Sequence, residues 1–198
     1  EGLLGLTGNL DYTATANSGL LEFSATGDHS IGGTFEATLF EDTDGGSDFT
    51  LQNGANLAVT GTFTQNTNAS ATPGDVTLGG NITTTDSALS IASPITLTDD
   101  VTLGTGAGTA GDITLESTVD GGHGLTVNAG TGAVDLQANI GAGTGTELAS
   151  ITVSGSTINL QDVTTTGTQT YTGAITTNST YTSDGSDISF SGDLLLND

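Results

Sequence analysis

An apolar–polar–apolar triplet, followed after a short polar or glycine step by another apolar residue, recurs along most of this chain and constrains its fold more than any other feature. It is read at Val76-Thr77-Leu78 with Ile82, at Ile95-Thr96-Leu97 with Val101, and at Ile113-Thr114-Leu115 with Val119. Further copies are Val134-Asp135-Leu136 with Ile140, Ile158-Asn159-Leu160 with Val163, and Ile188-Ser189-Phe190 with Leu194. Successive starts are 19, 18, 21, 24 and 30 residues apart. A period of about 20 residues marks a solenoid, in which one unit cannot bury its apolar side alone but stacked units share a core.

Strand side chains alternate between faces, so the outer residues of each triplet point inward and the middle one outward. The outward set, Thr77, Thr96, Thr114, Asp135, Asn159 and Ser189, is small and polar, as a solvated sheet face requires. A third short strand precedes several copies, at Leu89-Ser90-Ile91, Leu125-Thr126-Val127 and Ile151-Thr152-Val153. The expected fold is therefore all-β, a parallel β-helix with three short strands per turn and turns stacked about 4.8 Å apart. Gly, Asn and Asp at corners such as Gly79-Gly80-Asn81 suit sharp bends. The Gly-rich 141–147 segment reads as a surface loop.

Residues 1–72 are less regular but also β-rich, with alternation at Leu21-Glu22-Phe23, Phe35-Glu36-Ala37 and Leu57-Ala58-Val59. They are expected to be first solenoid turns, a cap or a small β-sandwich, and 73–198 to be the solenoid proper. The polar 65–74 stretch, ending in Pro73-Gly74, marks the boundary.

The chain has no Lys or Arg and 23 acidic residues, a formal net charge of −23. That balance repels nucleic-acid phosphates and anionic membranes, and it deprives every carboxylate of a basic partner. Carboxylates must be solvated, hydrogen-bonded or bound to cations. Trypsin has no site in the chain, which suits exposure to extracellular proteases. Cys is absent, so stability rests on a hydrogen-bonded core instead of disulfides. No apolar run approaches the roughly 20 residues that span a bilayer, so membrane insertion is not expected. A chain that starts at Glu1 without a signal segment reads as a processed form or a piece of a longer one.

Catalytic chemistry is sparse. His29 and His123 are the only groups suited to proton transfer near neutral pH, and both read as exposed loop histidines. Acidic pairs at Asp99/Asp100 and Asp184/Asp187 admit a polysaccharide-degrading β-helix enzyme, but no cationic side chain is present to hold a polyanionic substrate. Asp42, Asp44 and Asp48, around the Gly45-Gly46 turn, place hard oxygen donors as Ca²⁺ requires, without the spacing of an EF-hand. A ladder of Thr77, Thr96 and Thr114 admits an ice-binding surface, interrupted by Asp135 and Asn159.

Residues 76–196, with segments such as Gly124-Leu-Thr-Val-Asn-Ala-Gly-Thr-Gly132 and Thr166-Gly-Thr-Gln-Thr-Tyr-Thr-Gly-Ala-Ile175, resemble the β-strand repeats of filamentous-haemagglutinin-like adhesins and autotransporter passenger domains of bacteria. The Asn-Pro-rich motifs of the two-partner secretion domain are missing. The resemblance implies a right-handed parallel β-helix, an extracellular or cell-surface location, and a role in adhesion, matrix or fibre formation. The expected function is a non-catalytic structural or adhesive segment of an extracellular fibre or cell-surface adhesin that associates with itself through solenoid ends or edges, the apolar Leu194-Leu195-Leu196 being one such end. The alternative is a calcium-dependent or glycan-binding surface module.

Overall fold

The computed structural model describes residues 4–8, 10–13, 20–23, 25, 27–39, 48–67, 74–106, 108 and 111–196. Every strand pairing among them is parallel, and each strand pairs with those one coil above and below it. The chain is a parallel β-solenoid with three faces around one apolar core.

Face one stacks Gly5–Leu6, Gly27–Ile31, Ala55–Val59, Ile82–Thr84, Val101–Gly104 and Gly124–Asn128, then the first halves of Ser150–Asn159 and Gln169–Thr177, then Ile188–Ser191. Face two stacks Leu10–Thr13, Phe35–Leu39, Phe63–Thr67, Leu89–Ile91, Ile113–Leu115 and Val134–Leu136, the second halves of the same two long strands, and Leu194–Leu196. Face three stacks Leu20–Phe23, Asp48–Leu51, Val76–Leu78, Ile95–Leu97 and Val119–Asp120, is carried on by single bridges at Ile140, and ends with Val163–Thr165 and Tyr181–Ser183. The ladders run without a break across residue 72, where Phe63 pairs Leu89 and Phe49 pairs Val76.

The triplets form strands because most bury their first and third residues and turn the second outward, as at Ile82–Thr84 and Ile95–Leu97. Burying about two aliphatic side chains per strand contributes on the order of 3–6 kcal/mol before chain entropy is subtracted, which one isolated coil cannot use without a neighbour above it. Inward columns follow directly: Leu57, Ile82, Leu103, Val127, Val153 and Tyr171 stand over one another on face one. Aromatic rings concentrate at the two ends of the stack. Phe35 and Phe63 lie parallel at 4.5 Å with Phe23 and Phe49 against them, and Tyr171 stacks on Phe190 at 5.1 Å.

The register corrects the sequence alignment of the repeats. Val76 does stand under Ile95, and Ile113 under Val134 under Ile158. Ile95, however, stacks on Val119 and not on Ile113, which lies on face two. Ile188 stacks on Gln169 of face one, whereas Ile158 stacks on Ile175. All three faces use the same triplet, so spacing alone cannot say which face a copy joins. The Thr ladder is redrawn accordingly. Thr77 and Thr96 are stacked on face three, Thr114 is on face two, and the longest threonine column is Thr102, Thr126, Thr152 and Thr170 on face one.

Corners between faces one and two bring successive backbones into contact. A Cβ at Gly155 would meet the Gly132 carbonyl oxygen at 2.9 Å, and at Gly173 it would collide with the Gly155 carbonyl. Glycine at this corner is thus required by closeness, and at Gly173 also by a φ of 147°.

Candidate functional surfaces

Many of the described carboxylates tie one coil to the next. Asp86 Oδ1 accepts the Gly108 N–H (2.9 Å), Asp100 Oδ1 the Gly124 N–H (2.7 Å), and Asp112 Oδ1 the Ala133 N–H (2.8 Å). Asp162 Oδ1 accepts the Thr180 N–H (2.7 Å), and Asp120 Oδ1 accepts the Thr146 hydroxyl (3.2 Å). In each case the donor lies one coil further along. Charge-assisted bonds to backbone N–H groups are among the stronger hydrogen bonds, and here they satisfy corner amides that have left the ladder. Glu22, Asp28 and Glu36 instead accept from the amides of Gln52, Asn56 and Asn66 on the coil above. In a chain without Lys or Arg, these carboxylates thereby take neutral donors.

Of the residues expected to hold calcium, Asp42 and Asp44 lie outside the described residues. Asp48, on face three, accepts the Asp75 N–H at 3.2 Å. Asp75 is exposed, yet partial desolvation by the neighbouring coil, followed by the charge of Asp48, raises its carboxyl above the usual aspartate range. Among the described residues, no group of three or more His, Asp or Glu is arranged to hold a metal ion. Asp99 and Asp100 sit at an exposed bend rather than on a strand, with Asp99 Oδ1 accepting the Asp100 N–H. Asp184 and Asp187 are likewise exposed.

The two histidines differ. His123 is half-buried at a bend, where its N–H and C=O help to close the corner. His29 corrects the expectation of an exposed loop residue. It lies inside the strand Gly27–Ile31, is 3% exposed, and packs edge-on against Phe23 at 5.2 Å. The alternation Asp28-His29-Ser30-Ile31 carried this signal, since His29 shares the parity of the inward Ile31.

Two further polar features are buried inside the stack. Gln65 bridges adjacent coils through Ser93, and Gln169 donates to the Thr182 carbonyl (2.6 Å) while accepting from the Tyr171 hydroxyl (3.0 Å). Burial pushes the Tyr171 and Tyr181 hydroxyls up, so both stay protonated donors. No buried side-chain nitrogen or oxygen among the described residues lacks a partner.

On the outside, the 141–147 segment overhangs face three and forms an open cleft of about 540 Å³, lined by Glu147, Thr164, Thr166, Thr182 and Asp184. Its hydroxyls and carboxylates can bond neutral polar ligands or cations and would repel polyanions. At the end of the stack, Phe190, Leu194, Leu195 and Leu196 are 37%, 45%, 59% and 67% exposed. Leu194 and Leu196 continue inward columns of face two, whereas Leu195 sits in the outward one. Comparisons with protein-family models, curated proteins and solved structures find no match to this chain.

Proposed function

We propose that this chain is a non-catalytic structural and adhesive segment of an extracellular fibre or cell-surface adhesin of a bacterium, self-associating through the ends of its solenoid. The observation that carries the reading is the last coil. Its apolar columns run on from the core but are open on the far side, together with the backbone edge of Ile188–Ser191 and Leu194–Leu196. The partner that fits is the first coil of a second copy, where Leu4, Leu6 and Leu10 are only partly buried against the core. In continued register Leu194 would stand beneath Leu10, because both belong to the same inward column of face two. Head-to-tail contacts of this kind do not close and give filaments. The mechanism is mechanical: parallel ladders stacked along one axis resist extension and proteolysis, while polar faces keep the rod apart from its neighbours.

Electron microscopy with light scattering tests this. End-to-end particles that fall back to single rods in the Leu194→Asp/Leu196→Asp double variant are expected. Wild-type protein dispersed as single rods at millimolar concentration would overturn the reading. A second reading, a glycan-binding surface module, is favoured by the hydroxyl-lined cleft under the 141–147 segment. Glycan-array binding that disappears in Glu147→Gln/Asp184→Asn would support it, and no binding by the wild type would remove it.

A further inference from the structure

We propose that His29 is a proton-operated latch that holds the Leu4–Leu6 segment onto the neighbouring strand Gly27–Ile31. The ring occupies an inward position beneath Leu57, in a column whose next members are Ile82, Leu103 and Val127. A polar ring in an aliphatic column is accounted for by its two hydrogen bonds. Nδ1 faces the Leu4 N–H at 3.1 Å, and Nε2 faces the Ala25 carbonyl at 2.9 Å. Leu4 belongs to the first coil and Ala25 to the bend that leads into the second. An amide N–H can only donate, so Nδ1 is the acceptor and Nε2 carries the hydrogen, which it gives to Ala25. The neutral ring satisfies both groups in this tautomer.

A second proton leaves no acceptor on the ring. The Nδ1 hydrogen would then point at the Leu4 N–H, and a cation would stand in an apolar column. The groups that the ring bonds, stacks on or pairs with in register are Leu4, Ala25, Phe23 and Leu57, none of them titratable. The nearby carboxylates of Glu22, Asp28 and Glu36 are engaged with Gln52, Asn56 and Asn66 on the outer faces, so none is placed to neutralise the charge. Protonation therefore expels the ring and breaks its tie to Leu4. Beyond that bond the Leu4–Leu6 segment is held by the Ser30 N–H to Leu4 carbonyl bond (2.9 Å) and the Gly32 N–H to Leu6 carbonyl bond (2.8 Å), whereas Leu10–Thr13 and Leu20–Phe23 keep their own ladders on Phe35–Leu39 and Asp48–Leu51. Release of Leu4–Leu6 bares the edge of Gly27–Ile31, with Ile31 otherwise fully buried, as a strand available for pairing. Acidification thus uncovers this strand edge, independently of how Leu194–Leu196 associates.

Hydrogen exchange on the full chain tests the latch, comparing about pH 7.5 with about pH 5.5, the interval in which histidine is the side chain that ordinarily changes charge. Protection factors remove the intrinsic pH dependence of exchange. The expected result is that protection at Leu4, Ser30 and Gly32 falls by up to about tenfold per pH unit, one proton being linked to release. Mid-stack amides such as Thr98 and Glu116 should not move. In His29→Gln, whose amide can accept from Leu4 and donate to Ala25 but cannot gain a proton, the fall should vanish. His29→Leu, which restores the aliphatic column, should also be flat with pH if the glutamine variant fails to seat the coil. His123→Ala should behave as the wild type. Constant wild-type protection, or the same pH dependence in both His29 variants, would overturn the proposal.

Discussion

The Asp75 N–H donates to Asp48 Oδ1 across 3.2 Å, which brings together two aspartates of successive coils in a chain with no Lys or Arg to pair with either. Desolvation and the Asp48 charge together raise the Asp75 carboxyl above its ordinary value. The native state therefore holds this proton more tightly than the unfolded chain does. The resulting stabilisation is complete below the ordinary aspartate pKa of about 4 and is lost as pH rises through the raised native value. Asp75→Asn, which removes the repulsion permanently, should raise the melting temperature slightly near neutral pH. At about pH 3, below the ordinary aspartate pKa, the two proteins should melt alike. An equal gain at both pH values, read by calorimetry, would assign the effect to something other than charge.

Gly79-Gly80 closes the corner between faces three and one, and the two glycines are not there for left-handed backbone. Gly80 is buried, and a Cβ on it would collide with the Ala55 carbonyl of the coil below. Gly80→Ala must push two coils apart, at about 1–3 kcal/mol for overpacking. Gly122 has nothing within 4 Å of a Cβ, and its φ is outside the left-handed region. Gly122→Ala should be neutral or stabilising by about 0.4–1 kcal/mol, through reduced freedom of the unfolded chain. Urea denaturation separates the pair, and a Gly80→Ala protein as stable as wild type would contradict the close approach.

How much of this was legible in the sequence depends on what each feature needs. Alternation and stacking need only local pattern, so triplets such as Ile95-Thr96-Leu97 announced strands, an inward pair and a solenoid. Face assignment needs the length of every corner, and that length varies. Leu57 stands 28 positions after His29, whereas Tyr171 stands only 18 after Val153. With one triplet serving all faces, spacing alone sets Ile113 over Ile95, where Val119 belongs. The carboxylate ties were invisible for the same reason: pairing Asp100 with Gly124 requires the register across 24 residues. His29 was legible but outweighed, because a Gly-Asp-His-Ser string also reads as a turn.

Gln65 shows what a polar residue does in a column meant for aliphatic ones, and it gives the sharpest test of coil-to-coil bonding. It pairs Ala37 below and Ile91 above on face two and is fully buried. Its Oε1 accepts from the Ser93 N–H (2.9 Å) and the Ala92 N–H (3.1 Å), and its Nε2 donates to the Ser93 hydroxyl (3.1 Å) and the Asn66 carbonyl (2.7 Å). Ala92 keeps a second acceptor in the Gln65 backbone carbonyl, so Ser93, itself buried, depends most on the side chain. Gln65→Leu fits the volume of the site and matches the column, yet leaves the Ser93 N–H without that acceptor. The expected loss is about 1–3 kcal/mol, the desolvation penalty of one orphaned buried amide. Because coils couple mainly to their neighbours, the loss should appear as faster hydrogen exchange around residues 89–97, with little change beyond residue 150. A Gln65→Leu protein at least as stable as wild type would mean that aliphatic packing, and not this bracket, joins the two coils.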